Sequence, residues 1–95
     1  MKYAVFSEYN PIYRDKIMER AEEWQKDREK NPDKYPTQIF ESHNLGGGTK
    51  GIGIVEATYE QLMNLRHIWM PYNTFEFVPL YKSSKLAEKY PTTKL

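Results

Sequence analysis

Alternating apolar runs and helix-spaced stripes follow one another along this chain as strand, helix, strand, strand, helix, strand. That order limits the fold more than any other feature, because it describes a split βαβ unit in which one sheet carries both helices on a single face. The expected class is therefore α+β, with βαββαβ order, a four-stranded antiparallel sheet and two helices on one side. The first and third strands should be central and the second and fourth outside. A chain of 95 residues has one hydrophobic core and forms one domain.

Residue patterns place the elements. Lys2–Tyr9 alternates Tyr3, Val5, Ser7 and Tyr9 against Ala4, Phe6 and Glu8, the period of a strand. Asn10-Pro11 supplies an N-cap and a first helical position. The helix it starts should run to about Lys30, burying Tyr13, Ile17, Ala21 and Trp24 with Met18 beside them and turning its charged side to solvent. Asn31-Pro32 through Tyr35-Pro36 ends it as a loop. Thr37–His43 and Gly51–Ala57 are strands joined by a glycine-rich turn. Thr58 and Gln61 have capping-box spacing, opening a helix to about Met70 that buries Leu62, Leu65 and Trp69 and stops at Pro71. Thr74–Tyr81 is the last strand, and Pro79 marks it as an edge because proline has no N–H for the ladder. Ser84 caps a final helical turn over Lys85–Tyr90.

The strands are apolar on both faces. Ala4 and Phe6 oppose Tyr3 and Val5, Ile52 and Ile54 oppose Val55, and Phe75 and Phe77 oppose Val78 and Leu80. Helices can cover only one of these faces, and soluble monomers rarely leave bare a contiguous patch above a few hundred Å². A homodimer stacked through the open sheet face is the simplest closure. The competing cover is the chain's own last segment, which offers only Leu86, Tyr90 and Leu95.

Lys and Arg number 14 against 13 Asp and Glu, for a net charge of +1. Such a chain has no broad electrostatic attraction to nucleic acid or anionic membrane, and neither is expected as a partner. The absence of cysteine excludes disulfides, thiolate nucleophiles and Cys-ligated metals. Glu8 falls too early for a secretory leader and no apolar stretch is long enough to span a bilayer, so the expected compartment is cytoplasmic.

Chemistry-bearing motifs are sparse. Gly46-Gly47-Gly48-Thr49-Lys50-Gly51 has the letters of a dinucleotide fingerprint, but a strand follows where the fingerprint needs a helix N-terminus. A hairpin turn using positive φ explains it. Gly51 and Gly53 share one strand face, which marks close packing, a bulge or room for a ligand; close helix-to-sheet packing is the expected reason. His43 and His67 lie on different elements with no metal-ligand spacing, so neither a metal nor another cofactor is expected. Glu8 and Glu56 lie on the two central strands, where a carboxylate facing an apolar cavity would titrate high and act as acid or base. With His43 and Tyr9 they are the catalytic candidates. Tyr3, Phe6, Phe75 and Phe77 are the candidates for contact with an apolar or aromatic ligand.

The segment Glu41–Ala57, E-S-H-N-L-G-G-G-T-K-G-I-G-I-V-E-A, with Trp69 and Phe75-Glu76-Phe77-Val78-Pro79-Leu80 after it, resembles a family of short prokaryotic proteins classed as a domain of unknown function. That family belongs to the dimeric α+β barrel group with ferredoxin-like topology. The resemblance covers most of the chain and implies a dimer. The activities implied by the wider group range from haem-degrading and quinol-forming monooxygenases to isomerases, stress proteins and ligand-sensing modules, and no catalytic set carries over. The expected function is a dimeric module binding a small ligand or a partner, with a monooxygenase or isomerase as the alternative. RNA binding of the RRM kind requires aromatics on the third strand and a basic sheet, and Gly51–Ala57 supplies neither.

Overall fold

Local sequence signals account for most element boundaries in the computed structural model, which describes residues 1–83. The elements are β1 (Lys2–Tyr9), α1 (Arg14–Lys30), β2 (Thr37–Leu45), β3 (Lys50–Glu56), α2 (Tyr59–Trp69) and β4 (Asn73–Pro79), with short 3-10 turns at Pro11–Tyr13 and Pro32–Lys34. The turn expected at Lys85–Tyr90, and the Leu86, Tyr90 and Leu95 that might cover the sheet, lie outside the described residues. The Asn10 side chain accepts from the Ile12 N–H at 3.1 Å. Thr58 and Gln61 form both halves of a capping box, at 3.2 and 3.0 Å. Thr58→Ala should therefore lower stability by about 1 kcal/mol, measured as a lower urea midpoint. The β2–β3 turn is shorter than the sequence suggests. Leu45 and Lys50 still pair, and the chain reverses through Gly46 and Gly48 at φ +48° and +86°.

The sheet is antiparallel in the order β2-β3-β1-β4. This is the ferredoxin-like arrangement, with the Pro79 strand at an edge. Register assigns the faces. Tyr3, Val5, Ser7 and Tyr9 align with Val55, Gly53 and Gly51 on one side and with Phe77, Phe75 and Asn73 on the other, and this face meets the helices. Val5, Val55, Ala57 and Leu62 form the buried core, with Tyr3, Met63, Phe75 and Phe77 packed against it.

The helices contribute unequally. Leu62 and Leu65 of α2 are buried, whereas α1 buries no residue fully. Its stripe of Ile17, Ala21 and Trp24 is half-buried. Tyr13 and Met18, expected to join that stripe, are exposed; Tyr13 instead meets Tyr72 at a tilt, ring centres 5.3 Å apart. Helix α1 packs chiefly on α2 and on its flanking turns, so it stands off the β2 half of the sheet.

Among the described residues the most deeply buried large side chain is Tyr35, 2% exposed, at the junction of α1, α2 and β2. Its hydroxyl donates to the Asp27 carboxylate, which also accepts from Lys34 Nζ at 2.8 Å and Asn31 Nδ2 at 3.0 Å. From the other side, Gln61 and Asn64 of α2 donate to the Asp33 and Lys34 carbonyls, each at 2.9 Å.

Candidate functional site

The gap beneath α1 is a cavity of about 240 Å³. Its floor comes from the helix-facing side of β1, β2 and β3. Val5 and Val55 make one end apolar, and Ser7, Ser42 and Asn44 make the other polar. Between them lie Gly51 and Gly53, where no side chain rises. Ile17 and Trp24 of α1 and Leu65 and Trp69 of α2 form the roof, and Phe75 and Asn73 of β4 form one wall. Every residue of β2 is exposed, so this strand is the open side.

The glycines have a different reason from the one expected. A Cβ on Gly51 would lie 2.6 Å from Ser7 Oγ, and one on Gly53 would lie 3.4 Å from the Phe40 carbonyl. The nearest neighbours belong to adjacent strands and none to a helix, so these positions keep the floor low rather than admitting a helix.

The roof is held in place by ring contacts. Trp24 meets Trp69 at 5.9 Å between centroids, and the Arg28 guanidinium lies 4.4 Å from the centre of the Trp24 ring. Trp24 and Asn73, two residues of the lining, each hold one buried polar atom without a hydrogen-bond partner, Nε1 and Oδ1.

The sequence candidates divide between the two faces. Tyr9 and Phe75 line the cavity, while Tyr3 and Phe77 pack on the adjoining core. Phe6, Glu8, Glu56 and His43 are all on the open face: Glu8 pairs with Lys50 and Phe6 with Ile52, His43 pairs with Ile52, and Glu56 pairs with Lys2. The two glutamates thus share a face but sit at its opposite ends, and Glu56 bonds the Met1 amino group at 3.0 Å. His43 is exposed, donates from Nδ1 to the Glu41 carbonyl at 2.6 Å and stacks on Phe40. The four catalytic candidates do not converge. His67 is exposed on α2. Among the described residues no cluster of three or more His, Asp or Glu is placed to hold a metal, and no helix is long and apolar enough to cross a membrane.

Trp24, Trp69 and Asn73 were not legible as site residues, since both tryptophans fit a core stripe and Asn73 resembles a turn residue. Comparison with family models, curated proteins and solved structures yields no match.

Proposed function

We propose that this protein is a small ligand-binding module that works as a homodimer, its twin covering the open sheet face and its ligand occupying the cavity under α1. The observation that carries the ligand reading is a mostly apolar cavity with a few polar side chains, Ser7, Ser42 and Asn44, gathered at one end, the usual constitution of a small-molecule site. Its about 240 Å³ exceeds the roughly 150 Å³ cavity known to admit benzene, so a single substituted ring is the right scale. The resemblance to the dimeric α+β barrel group implies the dimer and leaves the ligand and any chemistry open. The enzyme alternative has less support, because only Tyr9 of its four candidate residues faces the cavity.

Thermal melting against a panel of single-ring aromatic compounds tests the reading. A ligand at about a hundred times its Kd adds roughly 2.7 kcal/mol, which for a domain of this size raises Tm by about 10 °C or more. Gly53→Ala should fold, because its Cβ meets the Phe40 carbonyl at 3.4 Å, an ordinary contact, and should reduce the rise by lifting the floor. No shift with any ring compound would refute the cavity as a ligand site. A shift left unchanged by Gly53→Ala would place binding elsewhere.

A further inference from the structure

Resting on the ligand-binding reading above, we infer that the cavity seats an apolar ring by one neutral oxygen substituent, a hydroxyl or a carbonyl, held between the Ser7 and Ser42 hydroxyls above Gly51. Gly51 stands in the helix-facing row, paired with Ser7 of β1 and Asn44 of β2. A side chain starting there would rise into the cavity, and its Cβ would lie 2.6 Å from Ser7 Oγ and 3.6 Å from Ser42 Oγ. The two hydroxyls therefore lean over the same spot on the floor, one from each flanking strand. Neither makes a hydrogen bond among the described residues. Ser7 is half-buried, with an oxygen that is not sealed off as the Trp24 and Asn73 atoms are, and Ser42 is exposed. A ligand oxygen above Gly51 is within reach of both.

The chemistry of the seat sets what it accepts. A serine hydroxyl carries one donor and two acceptor lone pairs, so the pair can donate twice to a carbonyl, or donate and accept at a hydroxyl. A bare hydrocarbon would displace water from both serines without replacing its bonds, which loses affinity. A charged group would give up its hydration with no counter-charge inside, a large penalty. The ionisable residues on the lining are Tyr9 and Lys50, and Lys50 pairs with Glu8 in the row that faces the open side. Val5 and Val55 make the far end apolar, so the ring points there and its oxygen points toward the β2–β3 turn.

The test titrates three probes of one size, ethylbenzene, benzyl alcohol and benzoate, into the intact, nitrogen-labelled protein. Benzyl alcohol should bind tightest and should move the Ser7, Ser42 and Gly51 amide signals. Ser7→Ala with Ser42→Ala should weaken it about tenfold, about 1.4 kcal/mol, while ethylbenzene keeps its affinity. Ser42→Ala alone, on an exposed strand, should cost benzyl alcohol roughly threefold, the effect of one bond, and serves if the double change fails to fold. Three results overturn this inference while leaving the cavity a ligand site: ethylbenzene or benzoate binding as tightly as the alcohol, an alcohol affinity untouched by the alanines, or an equal loss for ethylbenzene. Binding by none of the three probes removes both this inference and the reading it rests on.

Discussion

Tyr35→Ala should cost about 3–5 kcal/mol of folding stability, the range for removing a fully buried aromatic side chain, and should be the most damaging single truncation among the described residues. Tyr35 fills the junction where α1, the Pro32–Lys34 turn and α2 meet, and its hydroxyl is the buried donor to Asp27. The same pair fixes how stability responds to pH. Hydrogen bonds from Lys34, Tyr35 and Asn31 hold the Asp27 carboxyl at about 2 against an ordinary 3.8. A depressed carboxyl contributes stability above its unfolded value, and that contribution is lost as pH falls from about 4 through 2. Burial, with the Asp27 carboxylate beside it, raises the Tyr35 phenol above its ordinary 10.0. The stabilisation from Tyr35 is therefore full below pH 10 and declines as pH rises beyond it. Urea unfolding across pH should show both limbs. Tyr35→Phe keeps the ring, so it should erase the alkaline limb and shrink the acid limb, whose lower end moves up from about pH 2 because Asp27 then has one donor fewer. Unchanged limbs in that variant would mean the hydroxyl bond is not what holds the junction.

None of this was visible in the sequence, where Tyr35 sits between two prolines in what looks like a loop. Its burial depends on Asp27, eight residues earlier, and on Gln61 and Asn64 reaching across from α2. By contrast, signals confined to a few neighbouring residues translated directly. The Asn10-Pro11 start, the Thr58–Gln61 box, the glycine reversal and the Pro79 edge all give local backbone hydrogen bonds only one economical arrangement. The order of elements then leaves few topologies open.

The cavity was half-legible. Gly51 and Gly53 announced missing side chains, but period alone does not say whether a helix descends to fill the space. Here α1 does not, and Trp24 and Trp69 become a roof instead of core filling. The faces of β2 were not legible at all. In a regular strand Phe40 and His43, three apart, point to opposite sides. Irregularities between Gln38 and Phe40 and between Phe40 and His43 bring the two rings onto one face, stacked at 4.7 Å. A bulge of this kind leaves no pattern that an alternation test can find.

Phe6→Lys should convert a two-chain assembly into single chains, read as a halved mass in sedimentation or light scattering at micromolar concentration. On the open face two apolar rows lie at the centre: Phe6 with Ile52, and Ala4 with Ile54, Phe40 and Val78. Glu8 beside Lys50 frames one end and Lys2 beside Glu56 the other, so each polar row carries both signs and two copies do not repel. Phe6, Phe40, Leu45 and Val78 are 36–47% exposed, with Ile52 and Ile54 half-buried. Covering what remains is worth about 1 kcal/mol per side chain in each copy, part of the 1.5–3 for full burial. Summed over both copies, that gain is of the same order as the ~4–15 kcal/mol cost of association. A dimer held by such a margin cannot absorb two ammonium groups taken out of water at its centre, because desolvating each one with its Glu76 neighbour costs more than the pairing returns. The single chain can tolerate the change, because position 6 is cross-strand to Glu76 and an opposite-charge pair there contributes about 0.2–1 kcal/mol. The variant should therefore stay folded while its mass falls. If the unaltered protein already sediments as one chain, the twin is not what covers this face. If Phe6→Lys remains paired, the contact between copies lies elsewhere on the surface.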